Sequence, residues 1–297
     1  MRLVVAPGQG SQSEGFLAAW IDEVPGFREL LAEYSAFVDL DLAGLGTIGS
    51  EEEIKNTAVA QPLIVAASLA SYRTLFADTE VDAVAGHSVG EFAAAAIAGV
   101  LSDEEALRLV AVRARAMARA AHDADTSMAA VLGGDFDSVV SAIGEHGLSV
   151  ANFNGAGQLV AAGAVEGIRS LIANPPEKAR VIELKVAGAF HTSYMESAKR
   201  ELAEAAETLS PKDPLMSLYS NEAGQLVESG DAFLKLLVSQ VSNPVRWDFV
   251  MQNFAGKSAE VIELLPAGAL SGLFKRGVQD CRTVALKSPA DFEKVER

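Results

Sequence analysis

The sequence predicts an α/β fold in two parts: a large domain built on a parallel sheet, and a small β-α-β-β-α-β domain inserted in it. Three observations lead there. Leu3 to Ala6 reads as a buried strand, Pro7-Gly8-Gln9-Gly10-Ser11-Gln12 as a glycine-rich loop, and a helical pattern starts at Phe16; strand, loop and helix in that order open an α/β domain. Val81 to Ala85 is a second short apolar strand, and it runs into Gly86-His87-Ser88-Val89-Gly90 and an alanine-rich stretch. Between about residues 123 and 187 the apolar periodicity alternates between that of strands and that of helices.

Taken in order, helical text covers Phe27 to Phe37 and Gln61 to Phe76. Glu91 to Ala98 favours helix, with Gly99 as its stop. Ser102 opens the next helix: Glu105 completes a capping box, Asp103 and Glu104 fill the first turn, and the helix is expected to reach about Ala121. Then come strand Met128 to Leu132, helix Phe136 to Glu145, strand Leu148 to Phe153, strand Gln158 to Ala162, helix Val165 to Ala173 and strand Arg180 to Lys185. That order is ferredoxin-like. Asn154-Gly155 is the hairpin signal between the two middle strands, because both residues tolerate positive φ. The small domain is therefore placed at residues 123–187, and the large one at 1–122 and 188–297, where it resumes with a helix from Ser193 to Leu209.

Composition narrows the function classes. The 297 residues are 49% apolar and 22% charged, which suits a globular chain with a sizeable core. Forty acidic against 24 basic residues give a net charge of −16; that charge disfavours nucleic acid and anionic lipid surfaces as partners. The longest apolar stretch, Phe92 to Leu101, falls far short of the roughly 20 residues that cross a bilayer, and the apolar start at Leu3 to Ala6 is too short for the core of a signal peptide. The single cysteine, Cys281, forms no internal disulfide and reads as an inert thiol. A cytoplasmic monomer is the expectation.

A Gly-x-Ser-x-Gly match is a weak signal alone, and its context strengthens it. Here the pentapeptide joins a short apolar strand to a helix, the tight turn of α/β-hydrolase-like domains that admits no Cβ at Gly86 or Gly90 and lifts the Ser88 hydroxyl clear. The Val89 N–H then faces the same space at a helix N-terminus, where a developing oxyanion is favoured. Ser88 needs a base, and the chain has four histidines: His87, His122, His146 and His191. His87, beside the serine in the turn, reads as a wall or binding residue. His122 sits at a helix end, where a cation suits the dipole, and His146 follows a helix and faces solvent. His191 comes after the break Gly188-Ala189-Phe190, in a loop placed for chemistry, and is the best base.

One arginine lies on the wrong face of its helix. At about 100° per residue, Arg108, Arg115 and Arg119 form one solvated stripe, whereas Arg113 points about 140° away from Arg108 among Ala106, Leu109, Val110 and Met117. A buried guanidinium needs an anion, either a protein carboxylate or a ligand's. Beside an activated serine a ligand carboxylate is favoured, held through two parallel hydrogen bonds.

These residues together resemble the malonyl-coenzyme A:acyl carrier protein transacylases and the acyltransferase domains of polyketide synthases. The resemblance runs over nearly the whole chain: Pro7 to Gln12, Gln61-Pro62, Gly86 to Glu91, Arg113 to Met117, Gly188 to His191, Gln240 to Trp247 and Gly272 to Arg276. It implies Ser88 as nucleophile, His191 as base, and Arg113 holding the free carboxylate of malonate. It further implies Gln9 and Val89 N–H groups as the oxyanion hole and the main-chain carbonyl of Gln240 orienting His191 in place of a triad acid. The resemblance also implies that Phe190 is the malonyl-selecting form and that His87, Gln61 and Met117 belong to the substrate site. Where the family usually has Gly-Pro-Gly before the last helix, this chain has Leu265-Pro266-Ala267.

The implied partners are a coenzyme A thioester and an acyl carrier protein, with no metal and no further cofactor. Lys275-Arg276, Lys199-Arg200, and Lys178 with Arg180 are the candidate basic patches for the acidic carrier. The rival readings are a serine hydrolase or thioesterase of the α/β-hydrolase type, a malonyltransferase serving a polyketide synthase, and a non-catalytic scaffold.

Overall fold

The computed structural model describes residues 1–295. Five strands form a wholly parallel sheet: β1 (Arg2–Ala6), β2 (Ala83–Gly86), β7 (Ser217–Tyr219), β8 (Glu260–Glu263) and β9 (Arg282–Ala285), in the order β7-β2-β1-β8-β9. The three central strands are buried on both faces, as a parallel sheet covered by helices requires. Successive side chains alternate between two cores. Val4, Ala6 and Val84 meet the helices Thr57–Leu75, Gly90–Ile97 and Asp103–His122 on one face. Leu3, Val5, Ala83 and Ala85 meet Trp247, Phe254 and Phe274 on the other.

The remaining strands, β3 (Thr126–Gly133), β4 (Ser149–Gly155), β5 (Gln158–Ala164) and β6 (Ala179–Glu183), make an antiparallel sheet in the order β4-β5-β3-β6. This is the ferredoxin-like arrangement that the element order implied. The helices Phe136–Glu145 and Val165–Ala173 cover one face through Val139, Ile143, Ile168 and Leu171. The opposite face turns Met128 and Val160 toward the parallel sheet, and the space between the two sheets is the cleft described below. The edge strand β4 is tied to the larger part of the chain: Phe153 N–H donates to the Val245 carbonyl at 2.8 Å, and Val245 N–H to Ala151 at 2.9 Å.

Three local expectations need correction. The β4–β5 hairpin turns at Ala156-Gly157, two residues later than the Asn-Gly signal; Ala156 itself adopts φ 51°, and Asn154 stays in the strand. The helix expected from Gln61 starts at Thr57, where the Asn56 side chain accepts from Ala58 N–H, and it carries Pro62 inside. The segment from Ser193 begins as a 3₁₀ turn, Ser193–Met195, and continues as a helix over Glu196–Ala206.

Candidate active site

Three neighbouring strands deliver the site at their carboxyl ends, where open α/β sheets place their ligands. β1 leads to Gln9, β2 to Ser88 and β7 to Asn221. The β2 turn is closely packed. A Cβ added at Gly86 would lie 2.0 Å from the Gly90 carbonyl carbon, and one added at Gly90 would lie 2.2 Å from the Ala6 oxygen, so both positions exclude any side chain. Ser88 itself sits at φ 52°, a left-handed conformation that costs a non-glycine residue on the order of 1–3 kcal/mol. The Asn221 side chain holds it there. Its Oδ1 accepts from Ser88 N–H at 2.7 Å, and its Nδ2 donates to the Gly86 carbonyl at 2.6 Å.

His191 also adopts a left-handed backbone, φ 61°, and its imidazole stands 2.7 Å from Ser88 Oγ through Nε2. Nδ1 lies 2.8 Å from the Gln240 main-chain carbonyl. A carbonyl only accepts, so Nδ1 carries the proton and Nε2 keeps its lone pair for the serine. Burial, reinforced by the nearby Arg113 charge, pushes the imidazole down to about 3. His191 is therefore neutral at ordinary pH, the state a general base needs.

Arg113 is 1% exposed. Its Nη1 donates to Gln61 Oε1 and its Nη2 to Gln240 Oε1, both at 2.7 Å, while Nη2 approaches Ser88 Oγ at 3.4 Å. Nε has no partner. Among the described residues no carboxylate forms an ion pair with it. Burial pushes the guanidinium down to about 9, opposed by the charge of Glu91. Gln61 is itself oriented: its Nε2 faces Met117 Sδ at 3.6 Å and Gln9 Oε1 at 3.4 Å, which turns its oxygen to the arginine.

A cleft of about 190 Å³ opens over these groups, lined among others by Met128, Val160, Leu184, Val186 and Phe190 from the side of the small sheet. His87 closes one flank. Its Nε2 bonds Asn154 Oδ1 at 2.9 Å, so it points away from Ser88 and joins the serine turn to β4. The N–H groups of Gln9 and Val89 donate to no acceptor among the described residues. A larger hollow of about 730 Å³ lies elsewhere, among Arg2, Leu75, Asp78 and Phe292, with no serine–histidine pair in its lining.

The structure thus brings together Ser88, His191, the Gln240 carbonyl, Arg113, Gln61, Met117, Phe190 and His87. His122 is exposed at the end of its helix, and His146 is half-buried beyond the cleft. Glu91, Asn154, Asn221 and the Gln240 side chain were not expected in the site. An acidic residue inside an otherwise apolar helix was the signal for Glu91; nothing pointed the two asparagines to the site, because their partners lie far away along the chain.

A strained serine on a strand-to-helix turn, a neutral histidine oriented by a carbonyl and a buried unpaired arginine stand together in the site of an acyl-transfer enzyme. The chain belongs to the acyl transferase domain family, whose model matches residues 4–290. The malonyl CoA-acyl carrier protein transacylase of Mycobacterium tuberculosis is 46% identical over 99% of both chains, and that of Escherichia coli K12 is 34% identical over 96% of each. The crystal structure of MCAT from Mycobacterium tuberculosis superposes with a TM-score of 0.92 over 99% of both chains. A malonyl-transacylase in complex with a holo type II PKS acyl-carrier protein, 31% identical, superposes with a TM-score of 0.91 over 98% of this chain and 97% of that one.

Proposed function

We propose that the chain moves a malonyl group from coenzyme A to the phosphopantetheine thiol of an acyl carrier protein through a malonyl ester on Ser88. His191 Nε2 takes the Ser88 proton as Oγ attacks the thioester carbonyl. The oxyanion is received by the N–H groups of Gln9 and Val89, the latter at the start of the helix Gly90–Ile97. Collapse expels coenzyme A as its thiolate, which His191 protonates. The carrier thiol then gives its proton to His191 and attacks the ester, and Ser88 leaves with that proton restored. Every proton and electron pair is supplied by serine, histidine and thiol, so the reaction as written needs no metal or further cofactor. Such an enzyme follows ping-pong kinetics.

The observation that carries the malonyl assignment is Arg113, a buried cation 3.4 Å from Ser88 Oγ whose protein partners are neutral amides. A free carboxylate on the acyl group supplies its missing anion. The same observation disfavours a simple hydrolase, in which this charge has no use and an acid, not a carbonyl, would be expected on His191 Nδ1. Phe190, 6% exposed in the cleft wall, limits room beside the acyl chain and supports malonyl over branched extenders. No helix among the described residues is long and apolar enough to cross a membrane; with the lone cysteine, this supports our placing of the enzyme in the cytoplasm. Mass spectrometry after mixing with malonyl-coenzyme A should show a malonyl adduct on Ser88, absent in Ser88→Ala. An active preparation without the adduct would refute the reading.

A further inference from the structure

Glu91 is 1% exposed in a helix whose other residues, Gly90 and Phe92 to Ile97, are all apolar and buried. Carrying a carboxylate into such a place is costly unless its oxygens are satisfied. Both are, and by donors. Asn221 N–H reaches Oε1 at 2.8 Å, and Gln240 Nε2 reaches Oε2. Glu91 lies in the first turn of its helix, where an acid could serve merely as a dipole partner, yet both of these donors come from other segments.

The two arms lead to different parts of the chemistry. Through Asn221 the carboxylate reaches the clamp on Ser88 N–H and the Gly86 carbonyl. Through Gln240 it reaches the residue whose main chain holds His191 and whose side-chain oxygen faces Arg113. An amide has one oxygen and one nitrogen. With its nitrogen drawn to Glu91 and to the Ser88 carbonyl at 2.9 Å, Gln240 must present oxygen to the guanidinium; flipped, it would set N–H against a cation.

We propose that Glu91 is a positioning residue for acyl selection: its carboxylate fixes the orientation of the Gln240 amide, and thereby the placement of Arg113, in the same frame that clamps Ser88. The proposal rests on malonyl as the transferred group. Glu91→Gln removes one of the two acceptors, so an N–H must face either Asn221 N–H or Gln240 Nε2, and rotation of Gln240 is the available relief.

The test compares wild type, Glu91→Gln, Gln240→Glu and the double variant E91Q/Q240E, each assayed for acylation by malonyl-coenzyme A and by acetyl-coenzyme A and each melted. In Glu91→Gln the ratio of malonyl to acetyl kcat/KM should fall at least tenfold, because acetyl has no use for Arg113. A ratio unchanged from wild type, with both rates lowered alike, overturns the proposal and leaves Glu91 a structural residue. In the melts, Gln240→Glu sets two carboxylates against each other, whereas the double variant restores a donor between positions 91 and 240. It should melt above Gln240→Glu alone, and strictly additive losses overturn the proposed contact even if a single variant is too unstable to assay. Failure of wild type to acylate with malonyl at all would instead refute the function, and the melting cycle would still decide the contact.

Discussion

The two walls of the cleft are built on opposite plans. The parallel-sheet wall is polar and fixed by backbone: two residues at positive φ, two glycines with no room for a Cβ, and a chain of short hydrogen bonds from Asn221 to Arg113. The small-sheet wall is largely apolar: Met128, Val160, Leu184 and Val186 offer surface without direction, and Asn152, Asn154 and Gln158 are its polar members. The difference separates two tasks. Reacting atoms must be held within fractions of an ångström, which takes hydrogen bonds and close packing, whereas a wall against the acyl chain needs only shape and the exclusion of water.

Substitutions at equivalent-looking glycines give the sharpest contrast. Gly90→Ala drives a Cβ to 2.2 Å from the Ala6 oxygen, and should destabilise the fold by about 3 kcal/mol or more while abolishing acylation. Gly157→Ala in the small-sheet hairpin meets nothing within 4 Å but sits at φ +73°, so its cost is about 1–2 kcal/mol with transfer retained. Urea denaturation of both, with the acylation assay alongside, would break the comparison if the two losses were equal.

Within the polar wall, Arg113→Ala should lower kcat/KM for malonyl-coenzyme A by about 3 kcal/mol, roughly 10²-fold, because a desolvated charge-assisted pair is lost. Acetyl transfer should fall far less or rise. Equal losses on the two thioesters would assign the arginine to the fold, not to acyl recognition.

The acid limb of activity tests the electrostatics of the same wall. Burial and then Arg113 lower His191 to about 3, so its loss of function on protonation is displaced downward from the ordinary imidazole value near 6.5. kcat/KM for acylation by acetyl-coenzyme A, which makes no use of the Glu91–Gln240–Arg113 arm, should therefore hold well below pH 6. Stability carries the corresponding sign. A histidine depressed in the folded state loses its contribution as pH falls from 6.5 toward 3, whereas Glu91, raised to about 7 chiefly by burial, favours folding below pH 4.5 and forfeits that as pH rises to 7. The two oppose one another between pH 4.5 and 6.5, so His191→Ala should make stability fall more steeply with rising pH in that window. Denaturation midpoints that fall no more steeply in the variant than in wild type, or a limb near pH 6.5 in the acetyl rate profile, would count against this.

How legible all this was in the sequence follows the range of each interaction. Helices Phe136–Glu145 and Val165–Ala173 and the Ser102 capping box are local matters of periodicity and first-turn chemistry, and they fall where the sequence put them. Arg113 was readable as inward because a helix fixes direction at every step. What covers it was not, since Gln61 and Gln240 lie 52 and 127 positions away. The hairpin slipped by two residues for a similar reason. Asn154 scores as a turn former, but its side chain is engaged by His87, and the left-handed stretch runs from Gly155 through Ala156 to Gly157.

That same asparagine ties the reactive turn to the small-sheet wall through His87, and it offers the gentlest way to probe the division. Asn154→Ala removes the acceptor from His87 Nε2 and leaves every contact of Ser88, His191 and Arg113 in place. The expected loss is about 1 kcal/mol of stability, the usual net worth of one such bond, with a few-fold fall in transfer. A loss as large as that of Arg113→Ala would mean that the small sheet helps to hold the serine turn in register, and the apolar wall would then share in the positioning that the other wall otherwise performs alone.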